Sequence, residues 1–426
     1  MHARAGIVVT GTEVLTGRVS DRNGPWLAEQ LRRLGCDVAH LLVVGDRPAD
    51  LRQALEFLAG TGVALILTSG GLGPTADDLT ARVVADFQGR PLALDAALER
   101  RIAGIVARLS AGRGWRLDPA ATAAATHKQA MVPAGAFPIE PVGTAPGLVV
   151  PAADGRAGPP VLVLPGPPAE LRGMWPAAAA HPVVTAALAD AEELRERTVR
   201  LWNVPESELA AVLRAHPRLT ADLEVSTCLR DGELEIVTRF RPGQQATYDE
   251  LHAVLAAAYR QEAYSLDGRT VDELVADRLR AGGRTIAVAE SCTGGLLAGR
   301  LSERPGSSAY LVGGVVAYAN SVKQELVEVE PELLAAAGAV SAEVAEAMAA
   351  GVRSRFGADL GLGVTGIAGP DGGSEAKPVG LVHLCATDGA RTLASRIVLP
   401  GSRADVRARA VTMALHLTRQ LLDADG

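Results

Sequence analysis

Val63-Ala-Leu-Ile-Leu-Thr-Ser-Gly-Gly-Leu-Gly-Pro-Thr-Ala-Asp-Asp-Leu-Thr80 reads as a buried strand, a glycine-rich turn and the opening of a helix. The apolar run has strand length, and the glycines stand where a chain leaving a sheet must turn sharply. Upstream, the apolar runs Gly6 to Thr10 and Val38 to Val44 alternate with the helical patterns Trp26 to Leu34 and Leu51 to Leu58. Downstream come a helical stretch from Leu94 to Leu109, the strands Leu148 to Val150 and Val161 to Leu164, and a helix after Pro168. That alternation is the rhythm of βαβ units, and it predicts a parallel sheet covered by helices.

The chain has 426 residues, more than one hydrophobic core organises. Hydrophobic residues make up 48% but aromatics only 3%, so the core is built from Ala, Val and Leu, as suits helices on buried parallel strands. The expected fold class is α/β: two three-layer domains with parallel-rich sheets, joined by a small α+β module. Residues 1–180 form the first domain. Residues 195–265 read as the module, in a βαββα order whose Asp231-Gly232 pair signals a hairpin. The α/β rhythm returns in residues 267–426, with the strands Thr285 to Ala289, Leu360 to Thr365 and Leu381 to Thr387.

A net charge of −7 disfavours general affinity for nucleic acid or anionic membranes, which need a surplus of Lys and Arg. No signal-like or membrane-spanning apolar run is found, so a cytoplasmic protein is expected. Cys36, Cys228, Cys292 and Cys385 are far apart and read as free thiols, with no structural zinc site. Small-molecule partners and a symmetric homodimer are the default expectations.

In the first domain, Gly70, Gly71, Gly73 and Thr75 sit where open α/β sheets bind ligands, and glycines let backbone N–H groups approach an anion closely. Asp77 and Asp78 at the far end of the loop suit a divalent cation or a helix cap. A plain tight turn explains a lone Gly-Gly-x-Gly equally well. Gly11 to Gly17, Gly143 to Gly147 and Pro165 to Pro168 add further rigid loops, more than turn-making requires.

In the last domain Ala289-Glu-Ser-Cys-Thr-Gly-Gly295 ends a strand and opens a helix, an arrangement that presents N–H groups to an anion or a developing oxyanion. Pro305-Gly-Ser-Ser-Ala309 leads into the next strand, followed by Tyr318-Ala-Asn-Ser-Val-Lys323. Singly, Ser291 and Ser308 read as helix caps, Cys292 as a small buried hydrophobe, Tyr318 as a core aromatic and Lys323 as a solvated helix residue. Together they suggest a serine nucleophile activated by a lysine of lowered pKa. Ser308 and Lys323 bracket one strand and its following turn, which is the basis for expecting them to meet, with Tyr318 between them. Cys292, just ahead of a helix, is the rival nucleophile.

These motifs resemble the CinA (competence/damage-inducible protein A) family. In the first half the resemblance to its molybdopterin-binding-like domain rests on Ser20-Asp-Arg-Asn23, Val44-Gly-Asp46, the Gly70 to Thr80 loop, Lys128-Gln-Ala130 with Pro133, Gly143 to Gly147, and Leu164 to Leu171. It implies a metal-assisted ADP-ribose pyrophosphatase, with a divalent ion at Asp77 or Asp78. The sequence departs from the family pattern at Glu140, where Asn is usual, at Pro205, where Gly is usual, and at Ser402, where an acidic residue is usual. In the second half the resemblance is to the nicotinamide-nucleotide amidase domain. It implies Ser308 as nucleophile, Tyr318 and Lys323 as its activating partners, Thr365 on a substrate loop and Arg403 holding substrate, with Arg407 as the fallback. Backbone N–H groups at Gly306 to Ser308 or at Gly294 are expected to hold the oxyanion. The implied reaction converts nicotinamide mononucleotide to nicotinic acid mononucleotide and ammonia without a cofactor. Two other readings stand beside it: a non-catalytic pterin- or nucleotide-binding protein, and a DNA-uptake or repair factor, which the acidic balance disfavours.

Overall fold

In the computed structural model, which describes residues 3–113 and 117–423, the run Leu65–Ser69 is a strand buried along its whole length. It lies in the first of two units, Met1–Leu194 and Arg195–Gly426. The strands of the first unit are β1 (Arg4–Thr10), β2 (Asp37–Val44), β3 (Leu65–Ser69), β4 (Leu92–Leu94), β5 (Met131–Pro133), β6 (Phe137–Ile139), β7 (Gly147–Val150) and β8 (Val161–Leu164). Six form one sheet in the order β2-β1-β3-β8-β7-β6, while β4 and β5 make a separate ribbon. The first four run parallel, and β7 and β6 run antiparallel at one edge.

Alternation along the central strands feeds two cores. Ile7, Val9, Leu67 and Leu162 pack with Leu27, Leu31, Leu171 and Met174 on one face. Val8, Ile66 and Val163 pack with Leu55, Leu58, Val84 and Phe87 on the other. Each such aliphatic side chain contributes roughly 1.5–3 kcal/mol by leaving water. The helix expected from Leu94 begins at Ala96, because Leu92–Leu94 is drawn into the ribbon with Met131–Pro133.

The second unit opens with β9 (Arg195–Trp202), β10 (Glu224–Arg230), β11 (Glu233–Phe240) and β12 (Ala263–Ser265), an antiparallel sheet in the order β10-β11-β9-β12. Asp231 and Gly232 both adopt positive φ, 52° and 89°, the tight turn whose twist matches the strands it joins. There follow β13 (Ile286–Glu290), β14 (Leu311–Val316), β15 (Leu360–Gly366), β16 (Leu381–Thr387) and β17 (Thr392–Val398), in the order β14-β13-β15-β16-β17. The pairs of β13 with β14 and β15 are parallel, and the remaining two are antiparallel. Helices Val271–Ala281 and Arg403–Asp423 pack on one face, and Ala342–Phe356 on the other.

Close backbone approach sets the second face. A Cβ at Gly363 would collide with the Ala345 carbonyl, and one at Gly351 with the Val327 carbonyl. The helix Ala342–Phe356 therefore rests directly on β15, and the helix Asn320–Val327 rests directly on it. All four cysteines are free thiols, three of them buried. Among the described residues no helix is long and apolar enough to cross a membrane.

Candidate functional site

The carboxyl ends of β13, β14 and β15 form one edge of the second unit's sheet, the edge at which open α/β sheets gather chemistry. β13 ends at Glu290 and the chain turns through Ser291-Cys-Thr-Gly-Gly295 into the helix Leu296–Ser302. β14 ends at Val316, and the next helix, Asn320–Val327, carries Lys323. Lys323 is only 1% exposed. Its Nζ donates to the Ser291 hydroxyl at 3.2 Å and to the carbonyls of Ala317 and Tyr318 at 2.8 and 3.0 Å. Burial, the dominant influence, pulls the Lys323 pKa below the ordinary lysine value.

The serine beside the lysine is thus Ser291. The expected meeting of Ser308 with Lys323 does not occur. Ser308 lies three residues ahead of Leu311, which pairs with Ile286 at the opening of β13, whereas Lys323 meets the residue that follows its close. The two flank opposite ends of β14, whose six residues span roughly 20 Å at about 3.3 Å each. Gly306 belongs to the far end too, where the adjoining Pro305 carbonyl accepts from Arg280 at 2.8 Å. The Gly294 N–H is also not free for an oxyanion, since it donates to the Ser291 carbonyl at 3.1 Å. The signal that could have pointed to Ser291 was its place directly after a buried strand. What the sequence withheld was which end of β14 faces that turn.

The other expected residues reach this edge. Arg403, opening the helix Arg403–Asp423, donates to the Tyr318 hydroxyl and to the Gly369 carbonyl, both at 2.9 Å. Arg407, one turn on, donates to the carbonyls of Cys292 and Thr293 at 3.1 and 2.7 Å. Thr365 is fully buried at the end of β15, and its hydroxyl donates to the Ala339 carbonyl at 2.7 Å, so it braces the edge from below. Tyr318 is 58% exposed, a rim residue rather than a core aromatic. Burial pushes the rival thiol of Cys292 up to about 11, which leaves it protonated near neutrality.

In the first unit a cleft of about 680 Å³ opens at the corresponding edge. Gly70, Gly71, Gly73, Asp77 and Asp78 line it, together with Asp46, Asn23 and Gly166. Gly70 has φ 109°, and a Cβ there would strike the Thr10 carbonyl, so only glycine lets the loop lie this close to β1. Thr75 does not itself line the cleft: its hydroxyl bonds the Asp77 and Asp78 carboxylates at 2.5 and 2.6 Å, and its carbonyl accepts from Lys128. Among the described residues no three of His, Cys, Asp or Glu converge as a metal cage. The Asp77 and Asp78 pair suits instead an ion of the kind held by one or two carboxylates and completed by phosphate oxygens. Asn23 entered the sequence reading only as the end of the Ser20-Asp-Arg-Asn23 motif, with no site role assigned to it. It is buried, donates to the Ser69 hydroxyl at 2.9 Å and the Gly166 carbonyl at 2.6 Å, and leaves Oδ1 without a partner.

Residues 268–422 match the family model described as CinA C-terminal domain, and residues 6–185 match the model described as Probable molybdopterin binding domain. A CinA-like protein of Mycolicibacterium gilvum (strain PYR-GCK) is 55% identical over 430 residues, covering all of both chains. The chain belongs to the CinA family. A CinA-like protein of Mycobacterium tuberculosis (strain ATCC 25177 / H37Ra) is 53% identical over 99% of this chain and 98% of its own. The crystal structure of the competence/damage inducible protein CihA from Agrobacterium tumefaciens is 38% identical and covers 37% of this chain and 96% of that one, with a TM-score of 0.35.

The three departures from the CinA pattern each have a local account. Glu140 pairs with Arg101 on an exposed surface and does not line the cleft, so its carboxylate adds no charge there. Pro205 caps the helix Glu206–Ala215 in an extended conformation that proline adopts readily. Ser402 donates its hydroxyl and its N–H to Asp405, at 2.7 and 2.8 Å, so a carboxylate stands at this helix start from three residues downstream.

Proposed function

We propose that the second unit is a serine amidohydrolase acting on the carboxamide of nicotinamide mononucleotide, with Ser291 as nucleophile and Lys323 as general base. The observation that carries this reading is a desolvated amine 3.2 Å from a serine hydroxyl, with only two carbonyls as its other partners. A neutral Lys323 takes the Ser291 proton as the oxygen attacks the carboxamide carbon. Collapse of the tetrahedral adduct passes that proton to the nitrogen and releases ammonia. Water then cleaves the acyl-serine ester, and nicotinic acid mononucleotide leaves. Arg403 and Tyr318, joined at the rim, suit the anionic end of the substrate, where a guanidinium and a hydroxyl are natural phosphate partners.

For the first unit the favoured reading is an ADP-ribose pyrophosphatase. The cleft with its glycine floor and the unpartnered Asn23 Oδ1 supports a nucleotide ligand. A divalent ion at Asp77 and Asp78 would neutralise the phosphates there. Incubating the full chain with each nucleotide, with and without divalent metal, tests both activities. Ammonia from nicotinamide mononucleotide irrespective of metal, and AMP from ADP-ribose only with metal, are expected. Silence toward both substrates would favour a binding protein.

A further inference from the structure

We infer that Glu290 is a positioning residue that holds the nucleophile's turn in its reactive shape, an inference that rests on the reading of Ser291 as the nucleophile. Glu290 is the last residue of β13 and its side chain is almost wholly buried. The chain leaves it, turns through Ser291 and starts a helix whose cap residue, Gly295, has φ 95° and no side chain to offer. The cap comes instead from five residues upstream. Glu290 Oε2 accepts from the N–H groups of Gly295 and Leu297, both at 3.0 Å, and Oε1 accepts from Ala298 at 2.8 Å. These charge-assisted bonds close a loop across the turn, with Ser291 on its perimeter.

The turn is tied at its other points as well. Ser291 N–H donates to the Val364 carbonyl at 2.9 Å, Gly294 N–H to the Ser291 carbonyl at 3.1 Å and Leu296 N–H to the Thr293 carbonyl at 3.3 Å. Arg407 holds the Cys292 and Thr293 carbonyls. The N–H groups of Cys292 and Thr293 donate to the Cys292 sulfur, whose pKa they lower against the larger effect of burial. A buried carboxylate is a costly way to cap a helix, since a serine or aspartate at the cap position does so at the surface. The carboxylate's reach across the turn does something a local cap does not: it ties the strand end that precedes Ser291 to the helix that follows it, and so fixes Ser291 against Lys323.

The test uses Glu290→Gln in the full chain, which keeps the shape but sets an amide NH2 against one of the three N–H donors. A fluorophosphonate probe reads Ser291 reactivity by intact mass and peptide mapping without needing the natural substrate. The expected result is modification of wild type at Ser291, abolished in Ser291→Ala and slowed at least about tenfold in Glu290→Gln at every pH, because a small misplacement of a reacting group is that consequential. The thermal midpoint should fall by only a few degrees, while the pH profile, set by Lys323, keeps its shape. If Glu290→Gln does not fold, Glu290→Asp, which keeps the charge but draws the carboxylate back by one methylene, is expected to slow labelling likewise. Wild-type labelling rates in a folded variant, or no labelling of wild type at Ser291, would overturn the inference. Slowed labelling in the variant of a protein that releases no ammonia from nicotinamide mononucleotide would support it while contradicting the amidase reading.

Discussion

On folding, Lys323 exchanges water for one hydroxyl and two carbonyls, with no carboxylate among its hydrogen-bond partners. Its charged form is what burial penalises, so the neutral amine is reached at a lower pH than in a free lysine. The expected kcat/KM for the amide substrate therefore rises with pH through an ionisation below the usual lysine value of about 10.4. Lys323→Arg, which keeps the charge and cannot surrender its proton, should lower kcat by about 10²–10⁴ while the protein stays folded; kinetics and circular dichroism check this. Lys323 and Tyr318 were picked out from residue types and spacing and Arg403 from the family resemblance, and the structure brings all three to one edge. The serine was not. Two serine-bearing turns flank this part of the chain, and only the parallel register of β13 with β14 shows which one lies at the lysine's end.

Between elements, the helix Ala342–Phe356 and β15 touch backbone to backbone at Gly363. Gly363→Val should destabilise the second unit by about 1–3 kcal/mol or more, read by denaturant unfolding, because the carbonyl it meets cannot rotate aside. A second contact joins the small antiparallel sheet to the last helix. His416 stacks on Trp202 at 3.8 Å, and its Nε2 lies 2.9 Å from Glu233 Oε1, to which Tyr264 also donates at 2.7 Å. Burial holds the His416 pKa below its ordinary 6.5, against the pull of Glu233, with Arg419 and Arg300 adding to the lowering. Burial raises the Glu233 pKa, but the bonds from His416 and Tyr264 outweigh it and leave it below the ordinary 4.5. In both cases the unfolded chain takes up a proton before the folded one does, so acid removes stability. The loss should begin as pH falls through about 6.5, from His416, and continue below about 4.5, from Glu233. His416→Gln, neutral throughout, should flatten the upper part of the denaturant midpoint's pH profile. The hairpin that carries Glu233 was readable from Asp231-Gly232. Its packing against a helix some 180 residues away was not, since nothing in a local pattern encodes a partner at that separation.

Across the whole chain, the alternation of apolar runs was enough to give the α/β class, because strands buried on both faces must be apolar throughout. It did not foresee the antiparallel strands β6, β7, β16 and β17 closing each large sheet, because a run of strand-forming residues does not carry the direction of its neighbour. The first unit has its own two cores on the faces of one sheet, so residues 1–194 expressed alone should unfold in one cooperative transition, followed by circular dichroism. The central claim concerns the second unit and is decided by a comparison of two hydroxyls. Ammonia release from nicotinamide mononucleotide should be measured for Ser291→Ala and Ser308→Ala in the full chain. Loss in the first variant, with the second within about twofold of wild type, is the expected result; a silent Ser308→Ala beside an active Ser291→Ala would contradict it.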